Sequence, residues 1–206
     1  MDIQVEASAL SKTFNRRVIF RNISFRLGNG TTLLVTGRNG SGKSTLVKII
    51  AGVLTPTSGN VDFRRAGPAA PKERLSLVGF VSPYLQMYDE FSARENLQCA
   101  LAIRGMRPRE PAIDELLGHV GLSQRADDPV RTYSSGMKQR VKYAFALIHR
   151  PPVLILDEPM ANLDADGNAM VRELMKRQRR EGILIVATND LTDIKRFDMK
   201  IDLNER

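Results

Sequence analysis

Apolar residues follow two rhythms along this chain. Short unbroken runs, "TTLLVTG" (31–37), "SLVGFVS" (76–82), "VLILDEP" (153–159) and "ILIVATND" (183–190), predict strands buried on both faces. Near the start, "IQVEASALSKTF" and "RVIFRNISFRL" read as strands separated by the turns "NRR" and "GNG". "MKIDL" reads as a closing strand. Between these runs the period lengthens to that of a helix. "GKSTLVKIIAGV" carries Leu46, Val47, Ile49 and Ile50, with Gly52 as its stop. "SARENLQCALAIRG" opens with a capping box, Ser92 and Glu95, and sets Leu97, Leu101 and Ile103 on one side. "PAIDELLGHVG" repeats the pattern with Ile113, Leu116, Leu117 and Val120. "SSGMKQRVKYAFALIHR" forms a third helix, stopped by Pro151 and Pro152. A helix over about 166–180 and a short one after "ILIVATND" complete the expectation.

Strands alternating with helices predict an α/β fold with a parallel sheet covered on both faces. The helical stretch from about 83 to 149 reads as a subdomain inserted into a single domain spanning 1–206. Residues 1–82 and 150–206 then form the rest.

Composition narrows the class. The chain has 206 residues, 42% hydrophobic and 26% charged, ordinary for a globular protein. No apolar run approaches the roughly 20 residues of a membrane span, and "MDIQVEASALSKTF" lacks the pattern of a signal peptide. A single cysteine, Cys99, fits a reducing compartment. These features predict a cytoplasmic chain. The net charge of +8 raises nucleic acid as a partner, since Lys176, Arg177, Arg179 and Arg180 cluster on one helix. A solvated helix face accounts for the same cluster.

The stretch "GRNGSGKST", Gly37 to Thr45, fits G-x-x-x-x-G-K-[ST] between a predicted strand and a predicted helix. Its glycines let the backbone curl so that successive N–H groups point at phosphate oxygens, and the helix start adds its positive dipole end. ATP-binding candidates are therefore Gly37, Arg38, Asn39, Gly40, Ser41, Gly42, Lys43, Ser44 and Thr45. Lys43 reaches the β- and γ-phosphates and Ser44 coordinates Mg²⁺. In "PPVLILDEP" a buried strand ends in Asp157 and Glu158. Asp157 there would hold the metal, and Glu158 would polarise an attacking water, a role contributing about 10²–10⁴-fold. Solvated acids in a turn are the plainer alternative. In "YSSGMKQR" a serine and a glycine precede a helix, which reads either as a routine cap or as a second anion-binding helix start.

These motifs, in this order, resemble the nucleotide-binding subunit of ABC transporters over essentially the whole chain. "GRNGSGKST" is similar to the Walker A loop and "VLILDE" to the Walker B strand. "YSSGM" is similar to the LSGGQ signature, and "ANLD", ending in Asp164, to the D-loop. The resemblance implies a RecA-like P-loop NTPase core with an antiparallel β-subdomain and an inserted helical subdomain. It also implies a head-to-tail dimer, in which Ser134, Ser135 and Gly136 face ATP bound to a second ATP-binding subunit, the same chain or another. Separate membrane-spanning subunits would meet the face of residues 83–105, leaving this chain peripheral on the cytoplasmic side of the membrane. Phe14 stands where the family stacks an aromatic on adenine, although a strand-core aromatic is the other reading.

Three positions depart from the family pattern. Ser135 and Met137 replace the second glycine and the glutamine of the signature. Pro83 falls at the metal-ligating glutamine, leaving Gln86 three residues on as the alternative ligand. Asn189 stands where a switch histidine contacts the γ-phosphate. Its amide can donate a hydrogen bond but cannot become cationic, which predicts slow hydrolysis with Glu158, Lys43 and Asn189 as the catalytic set. A soluble ATPase acting on nucleic acid or ribosomes, and a regulatory module that hardly turns over, are the competing functions.

Overall fold

The unbroken apolar runs become the central strands of a five-stranded sheet. The computed structural model describes residues 3–65, 74, 76–190, 194 and 196–204. β3 (Thr32–Thr36), β6 (Val153–Asp157) and β7 (Ile183–Ala187) are buried at every position. With β5 (Val78–Val81) and β8 (Met199–Asp202) they form an all-parallel sheet in the order β5-β6-β7-β3-β8. The sheet divides the core by alternation. Leu33, Val35, Ile155, Ile185 and Ala187 face one cluster, shared with α1 (Lys43–Ile50) and the antiparallel sheet. Leu34, Leu154, Leu156, Leu184 and Val186 face the other, beneath the remaining helices.

The antiparallel sheet has the order β2-β1-β4, from β1 (Gln4–Phe14), β2 (Arg17–Gly28) and β4 (Ser58–Arg64). Asn15 and Arg16 join β1 to β2 with φ of +44° and +69°, the left-handed pair of a tight hairpin turn.

The helices between the two halves of the parallel sheet are α2 (Ala93–Ile103), α3 (Glu110–His119) and α4 (Ser135–Leu147); α5 (Ala165–Glu181) follows β6. α2 begins with the expected capping box: Glu95 N donates to Ser92 Oγ (3.1 Å) and Ser92 N to Glu95 Oε2 (2.7 Å). Arg94 ties α2 to its neighbours through Asp114 (2.6 Å) and Asp127 (2.7 Å). Two expectations change. Leu97 and Leu101 are buried, but Ile103 is 70% exposed, because two residues of helix rotate it about 200° from Leu101. Ser76 and Leu77 are helical, so β5 begins only at Val78. The short helix expected after "ILIVATND" falls largely outside the described residues.

Beyond α4, the His149 ring is buried with Nε2 3.1 Å from the Val78 carbonyl and Nδ1 without a partner. Burial, reinforced by Arg104, pushes its pKa down to about 4. The folded state therefore keeps His149 neutral, whereas the unfolded chain takes up a proton below about pH 6.5. Stability is full above that pH and falls as the pH drops towards 4, by about 2 kcal/mol at pH 5. Urea midpoints at pH 7.5 and 5 should show this loss, and His149→Gln should shrink it. An unchanged slope in the variant would remove His149 as its source.

Candidate functional site

The C-terminal ends of β3, β6 and β7 lie side by side: β3 ends in Thr36, β6 in Asp157, and β7 is followed directly by Thr188. After β3 the chain enters the Gly37–Gly42 loop, where two glycines are sterically required. A Cβ on Gly37 (φ +149°) would lie 2.4 Å from Ser41 Oγ, and one on Gly42 (φ +105°) would lie 2.4 Å from Ile19 Cγ2 of β2. The antiparallel sheet thus presses on the loop from below. Residues beyond β8 brace it as well, with Arg38 N donating to Asn204 Oδ1 (2.9 Å). Gly42 caps α1 without a side chain, so no side-chain acceptor covers the first helical amides. Arg38, Asn39 and Gly40 are exposed, Ser41, Ser44 and Thr45 half-buried, and Lys43 buried. Lys43 Nζ donates to the carbonyls of Gly37 (2.9 Å) and Arg38 (3.4 Å) and lies 3.5 Å from Glu158 Oε1.

Asp157, the last residue of β6, is fully buried. Its Oδ1 accepts from Ser44 Oγ (3.0 Å), while its Oδ2 has no partner. Burial raises its pKa above the ordinary value, although the Ser44 hydrogen bond pulls the other way. A buried carboxylate oxygen left alone is costly, so this hydroxyl–carboxylate pair fits a divalent cation that takes its other ligands from phosphate and water. Among the described residues no three His, Cys, Asp or Glu gather to hold a metal without such outside ligands.

Glu158 follows in a left-handed conformation (φ +50°), held by its N–H to the Ala187 carbonyl (2.8 Å). Its Oε2 accepts from Thr188 Oγ1 (3.1 Å). Thr188 was absent from the sequence expectations. The signal for it was the pairing of two polar strand ends, which needs the β6–β7 register opposing Asp157 and Ala187. Asn189, exposed beyond β7, donates from Nδ2 to Asn39 Oδ1 of the loop (3.3 Å).

Other candidates lie elsewhere on the chain. Ser134 caps α4, its Oγ accepting from Met137 N (3.2 Å), and both Ser134 and Ser135 are exposed. No hydrogen bond among the described residues joins Ser134, Ser135 or Gly136 to the Gly37–Thr45 segment. A Cβ on Gly136 would meet only Asn162 O, at an ordinary 3.5 Å. Asp164 caps α5 through Gly167 N (2.7 Å) and also accepts from Arg140 Nη2 of α4 (2.9 Å). These two bonds hold its carboxyl below the ordinary pKa.

Phe14 is 43% exposed at the end of β1, with Lys12 Nζ 4.7 Å from its ring centroid, which sets aside the strand-core reading. Gln86 is exposed and makes no hydrogen bond to Ser44 or Asp157. The Pro83 carbonyl accepts from Lys142 Nζ of α4 (3.0 Å), and Lys48 Nζ of α1 sits 4.5 Å above the Tyr84 ring.

Comparison with known proteins agrees with this geometry. A family profile described as ABC transporter matches residues 20–161. The chain is 34% identical over 182 residues to the lantibiotic transport ATP-binding protein SrtF of Streptococcus pyogenes, covering 88% of this chain and 78% of that one. It is 32% identical over 190 residues to the linearmycin resistance ATP-binding protein LnrL of Bacillus subtilis (strain 168), spanning 90% of this chain but 60% of that relative. In fold it is similar to a dimeric ATP-binding cassette in a post-hydrolysis state with ADP and phosphate (TM-score 0.85, 24% identity, 96% of this chain and 93% of that one). The profile match and the sequence identity to these ATP-binding proteins lead to one conclusion: the chain belongs to the ABC transporter family, among its ATP-binding subunits.

Proposed function

We propose that this chain binds ATP with Mg²⁺ at the Gly37–Thr45 loop, dimerises around nucleotide and hydrolyses it to drive separate membrane-spanning subunits. The observation that carries this reading is the Ser44–Asp157 pair, whose buried carboxylate keeps a spare oxygen, near Lys43 and Glu158. Lys43 would exchange its loop carbonyls and Glu158 for phosphate oxygens. Glu158 would then be free to take the proton of the attacking water on its carboxylate. Held by Ser44 and Asp157, Mg²⁺ would supply positive charge to the phosphates. Phe14 would lie against adenine, with Lys12 occupying one face of its ring. Measuring Mg²⁺-dependent phosphate release tests the reading: a chain that bound ATP but released no phosphate under any assembly would overturn the hydrolytic part.

The membrane-facing role rests on residues 83–105, where Tyr84, Tyr88, Phe91 and Ile103 are large, apolar and exposed. No helix among the described residues is long and apolar enough to cross a membrane. The basic stretch of α5 argues against nucleic acid. Lys176, Arg177, Arg179 and Arg180 are each ion-paired, with Glu173, Glu181, Asp198 and Glu173 respectively. We propose that residues 1–82 and 150–206 form the β-subdomain and core, and about 83–149 the helical subdomain.

Turnover is proposed to be slow. Asn189 supplies only a neutral amide, already engaged by Asn39, where a cation would offset charge developing on phosphate. Asn189→His should raise the turnover number several-fold at saturating ATP. Equal or lower phosphate release by that variant would show that Asn189 does not limit the rate.

A further inference from the structure

Glu158 is gripped at two points by consecutive residues of the neighbouring strand's end. Its backbone N–H bonds the Ala187 carbonyl at 2.8 Å, and its carboxylate accepts the Thr188 hydroxyl at 3.1 Å. The first grip holds a non-glycine residue in left-handed backbone, a conformation costing roughly 1–3 kcal/mol and kept only where the surroundings enforce it. The second fixes the side chain, and its geometry is determined by a further bond. Thr188 Oγ1 accepts from Asp190 N (3.0 Å), which occupies a lone pair and leaves the hydroxyl hydrogen to point at Glu158. Thr188 is itself buried and anchored by its own N–H to the Val35 carbonyl of β3 (3.1 Å). Asn189, by contrast, turns its amide to Asn39 and makes no hydrogen bond to Glu158.

We propose that Thr188 is the positioning residue for Glu158 in this chain: its hydroxyl orients the carboxylate that receives the proton, a task the adjacent Asn189 does not perform. The inference rests on the hydrolytic role given to Glu158 above. The same carboxylate bridges Thr188 and Lys43, using one oxygen for each. When Lys43 turns to phosphate, the Oε1 side is released while Oε2 stays tethered. The base is then freed without losing its direction.

Thr188→Val keeps the shape of the side chain and removes the donor. It should lower kcat about tenfold or more, since small misplacements of a reacting group carry large rate penalties, while KM and the dissociation constant for ATP stay within about twofold. Thr188→Ser should restore most of the rate. In a Glu158→Gln background, Thr188→Val should cost nothing further, because the two residues act as a unit. A thermal midpoint and an ATP affinity near those of the parent protein establish that the variants fold. Parent-like kcat in Thr188→Val, failure of serine to rescue, or an additive loss in the double variant would each overturn the proposal. Absence of turnover in the parent would instead defeat the hydrolytic reading, leaving the two failures distinguishable.

Discussion

Glu158→Gln is expected to reduce ATP turnover by about 10²–10⁴-fold while leaving ATP binding intact. Glutamine keeps the size of the side chain and can still accept from Thr188, so the strand ends should retain their arrangement. What it loses is the ability to take a proton. The pair with Lys43 is lost as well, and in the parent that pair competes with nucleotide for the lysine. The variant should therefore bind ATP at least as tightly as the parent and accumulate as an ATP-bound dimer, visible as a doubled mass by light scattering. Retained turnover would remove Glu158 from the mechanism. Loss of nucleotide binding would mean that its carboxylate serves the architecture of the loop instead.

Gly136→Asp should abolish ATP-dependent dimerisation, and with it turnover, without unfolding the chain. Within the chain a Cβ at this position meets only Asn162 O, at an ordinary contact distance. An acid in the first turn of α4 is favourable towards the helix dipole, by about 0.3–1 kcal/mol at most. On the proposed dimer, the same carboxylate would meet the negative phosphates of a partner's ATP at close range, an unfavourable pairing poorly screened once water is excluded. Thermal melts should overlay those of the parent, whereas Glu158→Gln/Gly136→Asp should stay monomeric with ATP. A dimer in that double variant would place the partner contact elsewhere.

Much of the architecture was legible because its causes are local. Val153–Leu156 and Ile183–Val186 are unbroken apolar runs, and only a sheet covered on both faces accommodates such runs. The capping box at Ser92 and Glu95 needs a spacing of three residues and nothing more. The strand order was not legible, since β3 pairs with β7 across about 150 residues and no local pattern encodes that choice. Ile103 shows the limit of reading by side: apolar character fits a buried stripe, but the helical period rotates this residue into solvent. The candidate site divides in the same way. Lys43 and Ser44 follow from a contiguous motif, whereas the Thr188–Glu158 bond joins the ends of two strands and exists only once the sheet has assembled. Gln86 was proposed from proximity in sequence, and proximity alone does not turn an exposed side chain towards Asp157.

Lys43 is compensated from within the chain, by the carbonyls of Gly37 and Arg38 and by the carboxylate of Glu158. The lysine is therefore not a bare positive charge, and that bears on which anions would engage it. Chloride or inorganic phosphate offers the lysine little that it lacks and must displace an internal counter-charge to reach it. A chain of phosphoryl groups can occupy the helix start, the hydroxyl of Ser44 and the lysine together, so the displacement is shared over many contacts. On the proposed nucleotide-binding role, this internal compensation of Lys43 would favour ligands with several linked phosphates over single small anions.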